Sequence, residues 1–232
     1  MEHGAFTWLG GLPWPGHVTT AVLVSLLLVS FAALVRSRLV ATERVLEPED
    51  GVTVRNVAEV FVEMITGLAE GVIGHGAERY VPLLGSFFVF ILVCNLIGLV
   101  PGFVPPTSDF NITFALGIVA FAAYNVYGTR EHGWRYWKHF LGPVVFLAPL
   151  MLVVEVFSQL FRPVSLGIRL FANMFADHQV VEIFTGLTKV IVPVVFYVLG
   201  AFVAVVQAFV FTMLTAIYIA LAVSQDQVSH DH

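Results

Sequence analysis

Few residues in this chain can hold a charge, and one group of them lies inside apolar sequence between Arg162 and Glu182, in RPVSLGIRLFANMFADHQVVE. Strongly apolar in the main, this stretch still holds Arg162, Arg169, Asn173, Asp177, His178 and Glu182. Arg169 has no other charged residue between Pro163 and Ala176. A guanidinium does not shed its proton, and at the centre of a membrane helix it costs about 2.5–3.5 kcal/mol on insertion scales. Ser165, Arg169 and Asn173 fall at i, i+4 and i+8, which makes a polar stripe on one helical face. An arginine can snorkel to a headgroup or pair within the fold. A bare one on a polar stripe in lipid-depth sequence points instead to an ion pathway.

Other polar residues align with this group. Glu155 lies about four turns before Arg169 and roughly 40° away at 100° per residue, with Ser158 and Arg162 on the same face. His178 and Glu182 are i, i+4 neighbours, about 180° from Arg169. Farther on, Gln207 and Tyr218 are offset by only about 20° and so share a face. No HExxH, GxSxG or P-loop is present, and no Cys/His cluster has metal-ligand spacing. Cys94 is single and lies in an apolar run, so no disulfide framework exists. An intramembrane hydrolase would need a nucleophile–base pair or metal ligands within its spans, and none stands out. No cofactor, metal or enzymatic active site is expected.

Membrane helices are the elements that must position these residues. The 232 residues are 58% hydrophobic and 12% charged, with mean hydropathy +0.89, whereas soluble domains carry about 25% charged residues. A net charge of −5 excludes nucleic-acid binding. The expected fold is an all-α integral membrane protein forming a single membrane domain over 1–232. It has about five membrane-crossing helices plus one amphipathic surface helix, the last two helices being long, tilted and paired as a hairpin. The first span is 17–35. Arg36, Arg38 and Arg44 follow it, which puts the N-terminus outside. Residues 1–16 lack Lys and Arg, which argues against a cleaved signal peptide, and Trp8 and Trp14 suit a membrane interface.

Residues 54–79 read as the surface helix. Val57, Phe61, Met64, Ile65, Leu68 and Val72 form its apolar face, with Glu59, Glu63 and Glu70 opposite. That acidic face fits a partner subunit or a protein groove as well as lipid, or simply solvent; Gly74, His75 and Gly76 end the helix. Spans 80–100 and 112–128 form a hairpin. The loop between them is rich in Pro and Gly and lacks basic residues, which fits the outside, while Arg130, Arg135 and Lys138 fit the inside. Residues 143–186 would make a helix of about 66 Å against a hydrocarbon core of about 30 Å. No turn cluster supports a reversal at Arg162–Pro163, so Pro163 is expected to kink one tilted helix. The last helix covers 191–224, after a turn at Gly186 to Pro193, and ends in a polar tail on the cytoplasmic side. An independent secondary transporter is the rival reading. It would predict inverted repeats and a broken helix, neither of which is evident.

SLGIRLFANM, preceded by RP and followed about forty residues on by VQAFVFTMLTAIYIA, closely resembles subunit a of the F-type ATP synthase, the stator half of its Fo motor. The resemblance runs from about Glu59 to Ser224 and is densest at 155–182 and 203–220. RPVSLxxRLFxNM is far longer than a chance match. The resemblance implies a bacterial inner-membrane subunit that works with a rotor ring of c subunits, peripheral-stalk b subunits, the rest of the complex and membrane lipid. A rotor carboxylate must be neutral when it faces lipid. It must also exchange its proton with each side separately, through two half-channels divided by a fixed cation that favours its ionised form. The resemblance assigns that cation to Arg169.

Further roles follow from helical position and from the resemblance together. Glu155 and Ser158 line one half-channel, the alternative for Glu155 being an ion pair with Arg162. His178 occupies a position the family uses for outer proton access; otherwise it is a hydrogen-bonded core histidine. Asp177 stands where the family often has a small residue, and Gly200 stands where many members have an ionisable one. Glu182 or Asp177 is therefore expected to supply the missing carboxylate. Gln207 is placed opposite Arg169, with Tyr218 aligned on its helix, and Asn173 is either a helper of Arg169 or a packing amide. Asp109 and Asn111 form the mouth of the outer half-channel or cap the third span.

Overall fold

The computed structural model describes residues 14–41, 53–74, 76–100, 102–134, 136, 148–187 and 191–223. Trp8, Arg44, His75, Arg135, Lys138, the start of the 143–186 span, part of the 186–193 turn and the polar tail lie outside the described residues. Among the described residues the chain is helical throughout, without strands: α1 Gly16–Ala41, α2 Val54–Ile73, α3 Val81–Ile97, α4 Phe110–His132, α5 Ala148–Leu187 and α6 Ile191–Val223. Short 3-10 turns occupy Ala77–Arg79 and Pro106–Ser108. Among the described residues four stretches are long and apolar enough to cross a membrane: Gly16–Arg36, Phe110–His132, Leu150–Gly186 and Pro193–Val223. Helix α3 is apolar and has 17 residues, the short end of what spans a bilayer. The expected class, a helical membrane protein, stands.

Helix α2 starts where the Thr53 hydroxyl accepts the Asn56 N–H at 3.3 Å. It stops at Ile73 rather than running to 79. Gly74 and Gly76 take φ of 85° and 86°, the left-handed region closed to most side chains. Phe61, Ile65, Leu68, Ala69 and Val72 join the core, the Phe61 ring lying 5.8 Å from that of Phe88. Glu59, Glu63 and Glu70 are exposed. Val57 and Met64, expected on the buried face, are 57% and 44% exposed. They sit at the edges of an apolar arc wider than the neighbouring helices cover.

Helix α5 runs unbroken through Pro163. Its 40 residues span about 60 Å, twice the hydrocarbon thickness, so it must lie oblique to a bilayer normal. Pro163 has no N–H for the Gln159 carbonyl, yet the helix persists because α4 packs closely against it there. A Cβ on Gly117 would come 2.5 Å from the Pro163 carbonyl oxygen, and one on Gly167 would come 3.0 Å from the Phe114 Cα. Two glycines thus let the backbones approach, as small residues do between membrane helices.

The core lies where α3, α4, α5 and α6 meet, with Leu84, Ile91, Tyr124, Leu170 and Phe211 fully buried. Asn95 ties the 102–109 loop to α6: its Oδ1 accepts from the Thr107 hydroxyl at 2.7 Å and its Nδ2 donates to the Ala204 carbonyl at 3.4 Å. At the opposite end, the His132 Nε2 donates to the Val223 carbonyl at 2.8 Å. Both bonds thus fasten α6, one to α3 and one to the C-terminus of α4.

Candidate proton path along the α5–α6 hairpin

The sequence-predicted residues fall into three groups along α5. In the middle, Arg169 lies on an exposed face and makes no hydrogen bond or ion pair with any described residue. Ser158, Ser165 and Asn173 are exposed as well. The Asn173 Nδ2 donates to Gln207 Oε1 at 2.7 Å across the hairpin. Gln207 is only 3% exposed, and its Nε2 is a buried donor without a partner. Its amide was expected to position the guanidinium. Its oxygen is instead taken by Asn173, and its free NH2 cannot bond a guanidinium, since both are donors.

Asp177 and His178 lie about 12 Å farther along α5 at 1.5 Å per residue, at the loop end. Both are half-buried and make no hydrogen bond to a described residue. They border a cavity of about 20 Å³ with Asn95, Leu99, Met174 and Tyr197, which is room for one water. Glu182 is exposed one turn on. Gly200 faces Asp177 across the hairpin, and a Cβ there would sit 2.6 Å from Asp177 Oδ2 and 2.9 Å from Leu99 Cδ2. The glycine that the resemblance marked as a departure is thus the space that Asp177 fills. Asp109 is an N-cap: its Oδ1 accepts the Asn111 N–H at 2.8 Å, while its Oδ2 lies 3.6 Å from His17 Nε2.

The third group is at the other end, below Pro163. Gln159 Nε2 donates to Glu155 Oε1 at 3.2 Å, and Gln159 Oε1 accepts from the Tyr124 hydroxyl at 2.6 Å and from Arg162 at 3.5 Å. The Arg162 guanidinium lies 5.8 Å from the Tyr124 ring centroid and 5.2 Å from that of Tyr218, both within cation–π range. The Tyr136 hydroxyl donates to Asn125 Oδ1 at 3.1 Å. Burial raises the Tyr136 phenol above its ordinary range, with Arg162 pulling it down and Glu155 pushing it up. Glu155 and Arg162 do not form the direct ion pair weighed from sequence. Gln159 stands between them.

Sequence reasoning brought Glu155, Arg162 and Tyr218 forward but missed Gln159, Tyr124 and Tyr136. Gln159 carried a signal, being a lone amide one turn from Glu155 inside apolar sequence. Tyr124 and Tyr136 carried none, because their partners lie on another helix.

Comparison with known proteins places the chain in a family. The ATP synthase A chain family model matches residues 18–220. An ATP synthase subunit a of Bdellovibrio bacteriovorus is 42% identical over 227 residues, covering 96% of this chain and 99% of that one. One of Syntrophotalea carbinolica, subunit a 1, is 42% identical and covers 90% and 86%. One of Solibacter usitatus is 40% identical, covering 92% and 89%. With a family match along most of its length and relatives at this identity over nearly the whole chain, the protein belongs to the ATP synthase A chain family, the family of ATP synthase subunit a.

Proposed function

We propose that this chain is the stator subunit of a bacterial F-type ATP synthase membrane sector, carrying protons to and from a ring of c subunits through two offset half-channels. It has no active site of its own. The observation that carries this reading is Arg169, a permanent cation on an open helical face with no partner among the described residues. A cation left bare at this depth is costly unless an anion arrives from outside, and a rotor carboxylate passing the face is such an anion. Gln207 and Asn173, bonded across the hairpin, brace the helix pair that presents Arg169.

The two polar groups on either side of Arg169 supply the half-channels. With the N-terminus outside and the C-terminus inside the inner membrane, Asp177, His178 and Glu182 serve the outer one, and Asp109 shapes its mouth. Glu155, Ser158 and Tyr218 serve the inner one. A proton enters from outside, passes His178 and Asp177, and reaches a rotor carboxylate. Once that carboxylate has turned through lipid in its neutral form, it meets the inner path and gives its proton up toward Glu155. Arg169 favours the ionised carboxylate between the two events and blocks a direct hop. The acidic face of α2 is the surface offered to the peripheral-stalk b subunits.

The test is Arg169→Ala in the complete complex, reconstituted into vesicles. Assembly should persist while ATP synthesis and ATP-driven pumping disappear, with passive proton leak as the accompanying sign. Substantial coupled synthesis in that variant would sink the assignment.

A further inference from the structure

Gln159 is 7% exposed, and its orientation is forced. Its oxygen faces two donors, the Tyr124 hydroxyl and the Arg162 guanidinium, and its NH2 faces the Glu155 carboxylate. Turned the other way, the NH2 would confront two donors and the oxygen would confront a carboxylate. Arg162, Gln159 and Glu155 are spaced so that all three meet on one side of α5. The guanidinium carbon lies over the tyrosine rings of α4 and α6, while one of its nitrogens donates to Gln159 Oε1.

We propose that Gln159 is a positioning residue for proton transfer: its amide relays Arg162 to Glu155 and keeps the two from closing into a direct ion pair. A bidentate arginine would occupy both carboxylate oxygens. Through the amide, Glu155 is held on Oε1 alone, and Oε2 has no partner among the described residues. A carboxylate fixed at one oxygen and open at the other can take up and release a proton without first breaking a salt bridge. The charged and titratable groups around it are Arg162 on its own helix, Tyr124 on α4, Tyr136 just beyond α4, and Tyr218 on α6. No new bond is made beyond the proton transfer itself, with the proton moving from the rotor carboxylate to Glu155 and on to water. The inference rests on the reading of Glu155 as part of the inner half-channel.

The test uses the complete complex in vesicles, with ATP-driven pumping as the readout and subunit content as the control. Gln159→Leu should slow pumping about tenfold, the loss expected when a hydrogen bond to a charged group is removed. Gln159→Met, closer in shape, should do the same, and serves if the leucine variant fails to assemble. In a Glu155→Gln background neither substitution should add any loss. Arg162→Gln should match Gln159→Leu, while Arg162→Lys, which keeps the charge, should retain most of the pumping. Wild-type pumping in both Gln159 variants would overturn the relay. So would an equal loss in the Glu155→Gln background, which would mean that Gln159 only packs. Arg169→Ala, measured in the same vesicles, separates the two failures. If it abolishes pumping while the Gln159 variants behave as wild type, the stator reading stands and the relay falls.

Discussion

At the loop end of α5, Asp177 and His178 border a water-sized cavity and make no hydrogen bond to a described residue. At the other end, Glu155, Gln159 and Arg162 are bonded through one another and to tyrosines from α4 and α6. Both ends hold a carboxylate beside a group that can be cationic, yet they are built differently. The loop end keeps its polar groups available by leaving a water-sized cavity beside them, and the missing Cβ of Gly200 gives the Asp177 carboxylate its place. The far end keeps Glu155 available by interposing an amide. A buried polar group with no partner is expensive, so the open end depends on water and the bonded end depends on geometry.

The largest expected effect strikes neither end but the cation between them. Arg169→Lys should lose nearly all coupled synthesis, although it preserves the charge. An ammonium is a compact point charge that can deprotonate when buried, and it lacks the planar fork of arginine. Synthesis close to wild type would mean that charge alone suffices, and the two ends would need no shaped group to separate them. His178→Ala should come next, slowing proton flow by about a hundredfold, the scale of a lost acid–base group, with assembly intact. If ATP-driven pumping stays normal, the loop end is packing rather than path.

How much of this contrast could be read beforehand follows from where each partner lies in the chain. Arg169, Asn173 and the unbroken helix through Pro163 were legible because they depend on spacing within one helix and on the lack of turn residues. The pairing of Asn173 with Gln207 was half legible, since spacing put Asn173 on the stripe of Arg169 and the resemblance put Gln207 opposite it, but neither could say which atoms meet. The fit of Asp177 to Gly200 was not legible. The sequence marked both as departures from the family pattern and offered Asp177 or Glu182 as the missing carboxylate, but only the helix crossing shows that Asp177 fills the space at Gly200. Gln159 could have been found as a lone amide beside Glu155. Its bond to Tyr124 spans 35 positions and leaves no periodic trace. The outward position of Val57 and Met64 likewise depends on how wide a face α3 and α6 present.

The comparison sharpens at Gly200. Gly200→Ala should destabilise the complex by about 1–3 kcal/mol, the usual penalty of overpacking, because the new Cβ would press on the Asp177 carboxylate and on Leu99. Adding Asp177→Ala should recover the thermal stability without recovering pumping. Recovery of both would show that the Asp177 carboxylate carries nothing, and a wild-type midpoint in Gly200→Ala alone would show that the loop end is looser than its geometry implies.

The smallest effect belongs to Tyr124→Phe. The ring stays, with its edge contact to Phe121 at 5.4 Å and its face toward Arg162. Only the hydroxyl that donates to Gln159 Oε1 is removed. That oxygen still accepts from Arg162, so the Gln159 amide has no reason to turn and Glu155 keeps its donor. Interhelical hydrogen bonds in membrane proteins average about 0.6 kcal/mol, and a loss of that order should appear in the thermal midpoint of the complex while pumping stays near wild type. The outcome separates two views of the bonded end. A small effect means that the charge of Arg162, and not the tyrosine hydroxyl, orients Gln159. A drop in pumping as large as that of Gln159→Leu would make Tyr124 the group that sets the amide, and would shift the positioning role from α5 to α4.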